Sequence, residues 1–240
     1  GIKQSGVQLG AFLAGATLPT LASAFGWRWG MAGYAMAALV AAVVAQVMLP
    51  ADAGRPASVA GQEPEDRPPL PRSIWLLSGY AFLMGCVVGG VGRFLPLFAE
   101  DQLGMSNFAA GMVSALLGVL AIGTRIFWSR LTESRIAPSK GLTVQAGLTV
   151  VALALILLAA PLGSWVLWVV AVVGALGMNA WNSVAMLAVI TGVPSALAGR
   201  ASGIVILGFM AGLSIGGFYP GVIETQTGRY DLAWLTFLVL

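Results

Sequence analysis

The chain has 240 residues, 58% of them hydrophobic and 9% charged, with a formal charge of +3 from twelve Lys+Arg against nine Asp+Glu. A soluble domain carries about 25% charged residues, and so few charges cannot cover a globule with this much apolar surface. A soluble enzyme, a nucleic-acid-binding domain and a disordered chain are therefore excluded, leaving an integral, all-α membrane protein whose first partner is the lipid bilayer.

Crossing a hydrocarbon core of about 30 Å takes about 20 helical residues. Apolar runs of that kind predict eight spans, at residues 2–25, 28–49, 73–99, 107–129, 141–160, 164–190, 201–224 and 230–240. The last is about half a span. The runs are too long, and lack the alternation, for a β-barrel. The chain begins at Gly1 without a methionine and ends at Leu240 inside an apolar stretch, so it reads as an internal fragment of a longer polytopic protein. Residues 50–72 hold six prolines and seven charges in 23 residues, a composition that cannot bury enough surface to fold. They read as a hydrophilic linker separating residues 1–49 from residues 73–240.

Orientation follows from the basic residues. With the linker on the cytoplasmic side, Arg55, Arg67, Arg72, Arg125, Arg130, Arg135, Lys140 and Arg200 fall inside, which is eight of the twelve. Arg28 and Arg229 fall outside, while Lys3 and Arg93 lie near or within helices, so the positive-inside rule selects this topology. A weak repeat accompanies it: Gly15-x-x-x-Pro19 precedes Gly26-Trp27-Arg28, and Gly216-x-x-x-Pro220 precedes Gly228-Arg229-Tyr230. Parallel repeats of this kind occur in transporters.

Four stretches carry a resemblance to a known family. They are GIKQSGVQLGAFLAGATLPTLASAFGWRWG, the long hydrophilic middle, RFLPLFAEDQLGMSNFAAGMVSALLGVLAIGTRIFWSRLTESR, and GRASGIVILGFMAGLSIGGFYPGVIETQTGRYDLAW. Together they resemble the fifth to twelfth helices of the major facilitator superfamily. The family's motif after its eighth helix reads G-R-x-x-x-G-x-L-x-D-R. Here Gly123-Thr124-Arg125 and Ser129-Arg130-Leu131-Thr132-Glu133-Ser134-Arg135 keep the basic residues and one acid, with Ser129 or Arg130 in place of the second glycine. The resemblance implies twelve helices in two bundles, eight of them present here, as a multi-pass protein of the inner or plasma membrane. It implies residues 1–49 as the last two helices of the first bundle and residues 73–240 as the second, six-helix bundle. It also implies alternating access to one central site, with Arg125, Arg130, Glu133 and Arg135 as a gating loop.

Polar side chains within hydrocarbon face a bundle interior or a wet cavity. Asn179 and Asn182, three apart, share a helix face in the inner half of the membrane, as either substrate contacts or interhelical hydrogen-bonding groups. Gln4 and Gln8 share a face with Lys3 at its edge, and the three read as substrate contacts or, for Lys3, as a snorkelling cation. Arg93 lies about 30 Å along its helix, near the outer interface, where it reads as an outer-gate salt-bridging or anion-capturing group or as a snorkelling cation. The preceding Gly89, Gly90 and Gly92 suggest a bend or unwinding. Tyr80 and Gln145 are further cavity candidates, and the Gly10/Gly15 and Gly208/Gly212/Gly216 faces suit close helix packing.

Histidine is absent and Cys86 is the one cysteine, which removes His-based metal ligands, general bases and proton relays from these residues. No metal, cofactor, catalytic residue or enzymatic activity is expected, because a membrane enzyme needs a nucleophile with its base or a metal cluster. All nine acids fall in loops or at helix ends, so a coupling proton, if used, rides on helices outside this chain. The expected function is secondary transport of a small solute, with the basic and amide groups favouring a polar organic anion. Multidrug or metabolite efflux, or a non-transporting membrane sensor, are the alternatives.

Overall fold

A computed structural model describes Thr17, Leu21, residues 25–48 and residues 68–239. These divide into two compact units, with the boundary between Pro69 and Leu70. Among the described residues there is no strand. Six segments are long and apolar enough to cross a membrane: Trp27–Met48, Arg72–Asp101, Asn107–Ser134, Pro138–Leu162, Val166–Gly192 and Ser195–Thr227. The count of eight is corrected accordingly. The run at 2–25 lies outside the described residues apart from Thr17, Leu21 and Phe25, and the run at 230–240 yields a helix of 9 residues, about 14 Å long and too short to span.

The smaller unit holds α1, Trp27–Met48. Gly26 enters the helix at φ 84°, a backbone geometry that glycine adopts without steric cost, and its carbonyl accepts from Trp29 and Gly30 N–H at 3.2 and 3.3 Å. The hydroxyls of Thr17 and Tyr34 lie 2.5 Å apart. Almost the whole of α1 is exposed, Gly30 alone being buried.

The larger unit contains α2 (Arg72–Asp101), α3 (Asn107–Ser134), α4 (Pro138–Leu162), α5 (Val166–Leu176), α6 (Trp181–Gly192), α7 (Ser195–Gly216), α8 (Tyr219–Thr227) and α9 (Asp231–Val239). Its helix ends follow the local sequence. Ser106 caps α3, its Oγ accepting from Ala109 N–H at 3.3 Å, where an oxygen side chain satisfies one orphan donor. Pro138 opens α4 at a position that needs no N–H. Gly228, left-handed at φ 67°, closes α8.

The most extensive packing joins α2 to α7. A side chain on Gly208, Gly212 or Gly216 would run into the carbonyl groups of Ser78, Phe82 and Cys86 respectively. In the other direction, Gly85 and Gly89 of α2 leave room for the Phe209 and Leu213 carbonyls. Small residues permit this backbone approach, and the glycines at 208, 212 and 216 therefore do pack as their four-residue spacing suggests. The Gly89–Gly92 stretch, by contrast, does not unwind: α2 is helical throughout, and Gly89 and Gly90 serve packing, Gly90 facing the Phe237 ring, while Gly92 faces open space. The aromatic residues Phe94, Phe98, Tyr230, Trp234 and Phe237 fill one cluster, while Ile74, Met84, Trp181, Val189 and Val205 fill another.

Candidate functional site

Two polar features lie within the larger unit. The first is a cleft of about 560 Å³ between α2, α7 and α8, lined by Arg93, Phe94, Ser214, Phe218, Thr225 and Gln226 with smaller neighbours. Arg93 is exposed and its guanidinium carbon lies 6.0 Å from the Phe94 ring centre. Among the described residues no acid lines the cleft, and the one ion pair among them joins Arg229 to Asp231. Arg93 thus presents a positive charge that no carboxylate on the cleft wall neutralises.

Beneath the cleft, the Tyr230 hydroxyl donates to Asp101 Oδ2 at 3.4 Å, and its ring sits 6.3 Å from both Phe94 and Phe98. This ties the end of α2 to the turn before α9. Burial, then the charges of Glu224 and Asp101, push the Tyr230 phenol up to about 12, because each disfavours the phenolate. On the neighbouring surface, Arg229 Nε donates to Asp231 Oδ1 at 3.0 Å and holds that carboxyl below its ordinary value.

The second feature is a break between α5 and α6. The segment Val166–Gly192 has no proline, yet residues 177–180 leave the helix, Gly177 adopting φ −87° and ψ −82°. Asn179 N–H turns back to Gly174 O at 3.4 Å, so the Ala175 and Leu176 carbonyls lack their helical donors. One face of α3 supplies replacements. Thr124 Oγ1 donates to Ala175 O at 2.9 Å, Trp128 Nε1 to Leu176 O at 2.9 Å and Arg125 Nε to Asn179 O at 3.0 Å. Thr124 and Trp128, four apart, share one helix face, Arg125 reaches the break from its edge, and buried carbonyls require such partners. On the opposite flank Gly177 approaches Thr149 so closely that a Cβ would sit 2.8 Å from its backbone nitrogen.

The break alters several sequence expectations. Asn179 and Asn182 do not share one continuous helix: Asn179 lies in the break and Asn182 is the second residue of α6. Both are half-buried. Of the four residues read as a gating loop, Arg125, Arg130 and Glu133 lie inside α3, and Arg135 directly follows it. The helix continues past the apolar run because polar residues extend it beyond the hydrocarbon. Arg125 is buried at 9% exposure within the bundle, while Arg130 and Arg135 line a shallow groove with Phe127. The Tyr80 hydroxyl donates to Leu142 O at 3.2 Å, and its ring packs edge-on to Trp181, so it joins α2 to α4 rather than lining the Arg93 cleft. Lys3, Gln4 and Gln8 lie outside the described residues. Sequence reasoning singled out neither Thr124 and Trp128 nor Ser214, Thr225 and Gln226; the available signal was hydrogen-bonding side chains at helical spacing within apolar runs.

The family model described as Major Facilitator Superfamily matches residues 1–217 of the 240. No curated protein and no solved structure matches the chain.

Proposed function

The chain belongs to the Major Facilitator Superfamily, a family of multi-pass membrane transporters of small solutes, and on that premise we propose that it serves secondary active transport of a small polar organic anion. Two helical bundles, residues 1–49 completing the first and residues 73–240 forming the second, rock about a central site to give alternating access. Residues 50–72 join them on the cytoplasmic side of the plasma or inner membrane. Any coupling proton is carried on helices beyond this chain.

The observation that carries the anion reading is the Arg93 cleft, where an unneutralised guanidinium stands beside the Ser214 and Thr225 hydroxyls and the Gln226 amide. Guanidinium groups bind carboxylates through paired, charge-assisted hydrogen bonds, and a cleft of about 560 Å³ is within the range of small-ligand sites. Arg93 captures the anion at the outer end. Asn179 and Asn182, with Tyr80, Gln4, Gln8 and Lys3, provide further contacts, and Arg125, Arg130, Glu133 and Arg135 act at the inner gate.

Transport of radiolabelled lactate, malate, citrate and glucose into proteoliposomes tests this. Uptake of at least one carboxylate, reduced about 10- to 100-fold in affinity by R93Q as expected for one lost charge-assisted interaction and partly kept by R93K, is the expected result. Carboxylate uptake indifferent to R93Q, or uptake confined to glucose, would refute the anion reading.

A further inference from the structure

The wall that α7 and α8 present to the Arg93 cleft repeats every four residues. Ser214, Phe218, Val222 and Gln226 form one row, and Gly217 and Gly221 lie in the row beside it, between Leu213 and Thr225. Residues four apart stack on one helix face, and here the stack carries across the joint between the two helices. The first row is polar at its ends and apolar in its middle. Backbone contacts set its register against α2: a Cβ on Gly89 would meet the Leu213 carbonyl and the Gly217 nitrogen, and one on Gly221 would meet the Phe94 ring at 3.0 Å. The two walls therefore advance in the same direction, and Arg93, next to Phe94, falls level with the apolar middle, between Phe218 and Val222.

Charge and hydrogen-bonding capacity in the cleft suffice for one carboxylate. Among the described residues Arg93 is the only charged one in the lining. The Ser214 hydroxyl gives its proton to Met210 O at 2.9 Å, and the Thr225 hydroxyl gives its own to Gly221 O at 2.7 Å. A hydroxyl has one proton to donate, so both keep only lone pairs, which repel a carboxylate oxygen. The Gln226 amide is the remaining neutral donor in the lining. Gln145, the buried amide of α4, is wholly enclosed and does not line the cleft.

On the premise that the Arg93 cleft binds an anion, we propose that this anion is an amphipathic monocarboxylate: one carboxylate paired with Arg93 and an apolar body lying on Leu213, Phe218 and Val222. A guanidinium takes one carboxylate through two parallel, charge-assisted hydrogen bonds. The apolar body gains from leaving water in proportion to the area covered. A second carboxylate on the same body would lose hydration against Phe218 or Val222 with no counter-charge, and an unpaired charge is costly to desolvate. Discrimination against di- and tricarboxylates thus comes from what the wall lacks, a repulsive element as effective as an attractive one.

Ligand-observed NMR titration of the detergent-solubilised protein at pH 7 with acetate, butyrate, hexanoate and succinate tests this. Affinity should rise roughly two- to fourfold per methylene from acetate to hexanoate, the upper figure corresponding to full burial of the group. Butyrate and succinate share a four-carbon skeleton, and succinate should bind at least about 10-fold more weakly. R93Q should weaken every carboxylate by about 10-fold or more. F218S, at a position 70% exposed, and V222T, which keeps the shape of valine, should each weaken hexanoate several-fold more than acetate. Three results would overturn the monocarboxylate class while R93Q sensitivity left anion binding standing: succinate binding as tightly as butyrate, a flat series from acetate to hexanoate, or a chain-length gain untouched by both F218S and V222T. Carboxylate binding that is absent, or indifferent to R93Q, would remove the anion reading itself.

Discussion

Replacing Gly212 by alanine puts a methyl group against the backbone of α2, with the Phe82 carbonyl carbon 2.8 Å and the Cys86 nitrogen 3.0 Å away. Ordinary contact begins near 3.4 Å, so α2 and α7 must part by at least 0.6 Å. Because the obstacle is backbone, no rotamer change relieves it. Overpacking of this kind costs about 1–3 kcal/mol, and the rigid neighbour places this site in the upper part of that range. Alanine recovers about 1 kcal/mol of helix propensity over glycine. The net effect is a destabilisation of about 1–2 kcal/mol, or roughly 3–6 °C in thermal midpoint for a chain of this size. Gly203 provides the control. It lies on the same helix with nothing within 4 Å of its Cβ position, so Gly203→Ala should retain the propensity gain and raise the midpoint. The assay is thermal unfolding in detergent, followed with a maleimide dye that fluoresces on reaction with Cys86. That cysteine is the one thiol of the chain, is 3% exposed and lies in the α2–α7 contact. If Gly212→Ala and Gly203→Ala move the midpoint in the same direction by the same amount, the interlocked-backbone account is wrong.

Further expectations concern the break and the turn before α9. Trp128→Phe removes the donor to Leu176 O and leaves that buried carbonyl unpaired, which should cost about 1–3 kcal/mol in the same unfolding assay; a loss below the error of the assay would contradict it. For Tyr230 the folded pKa is raised to about 12, above the free phenol's value of about 10. Its contribution to stability is therefore fully present below pH 10 and lost as pH rises toward 12. Unfolding midpoints of wild type and Tyr230→Phe between pH 9 and 12 should show the steeper alkaline fall in wild type, and parallel curves would remove the claim. Asp231, whose carboxyl is held low by the Arg229 hydrogen bond, contributes in the opposite direction, its share being lost only as pH falls below the usual carboxylate range. The pair is exposed and should therefore be weak; Asp231→Asn should leave the midpoint at neutral pH unchanged within error, and a drop of several degrees would show the pair to be structural.

Span positions were legible because hydrocarbon thickness imposes one length on every crossing. Trp27–Met48 and Arg72–Asp101 agree with the apolar runs at 28–49 and 73–99 to within two residues at each end. Helix ends beyond the membrane were less legible: the run ending at 129 belongs to a helix that continues to Ser134, since polar residues in water support a helix that hydropathy does not register. The break at 177–180 was hidden for a different reason. Its segment has no proline, and Gly177 is one of 32 glycines; what opens the helix is the set of hydrogen bonds from Thr124, Arg125 and Trp128, residues some fifty positions earlier in the chain. The same distance in sequence explains why Arg125 was assigned to a loop. Arg93 could be placed toward the C-terminal end of its helix by counting residues, but Ser214, Thr225 and Gln226 join it only once α7 and α8 pack on α2.

Transmembrane topology is the claim on which the transport account rests, and cysteine accessibility tests it most directly. In a Cys86→Ala background, single cysteines at Ala60, Gln102 and Ser139 are probed in intact cells with a membrane-impermeant maleimide. Gln102 follows α2 and Ser139 is the second residue of α4, and both are exposed. Labelling of the residue-102 cysteine in intact cells, with those at 60 and 139 labelled only after permeabilisation, is the predicted pattern. Labelling at 60 and 139 but not 102 would invert the orientation, and equal labelling of all three before permeabilisation would remove the membrane-spanning arrangement altogether.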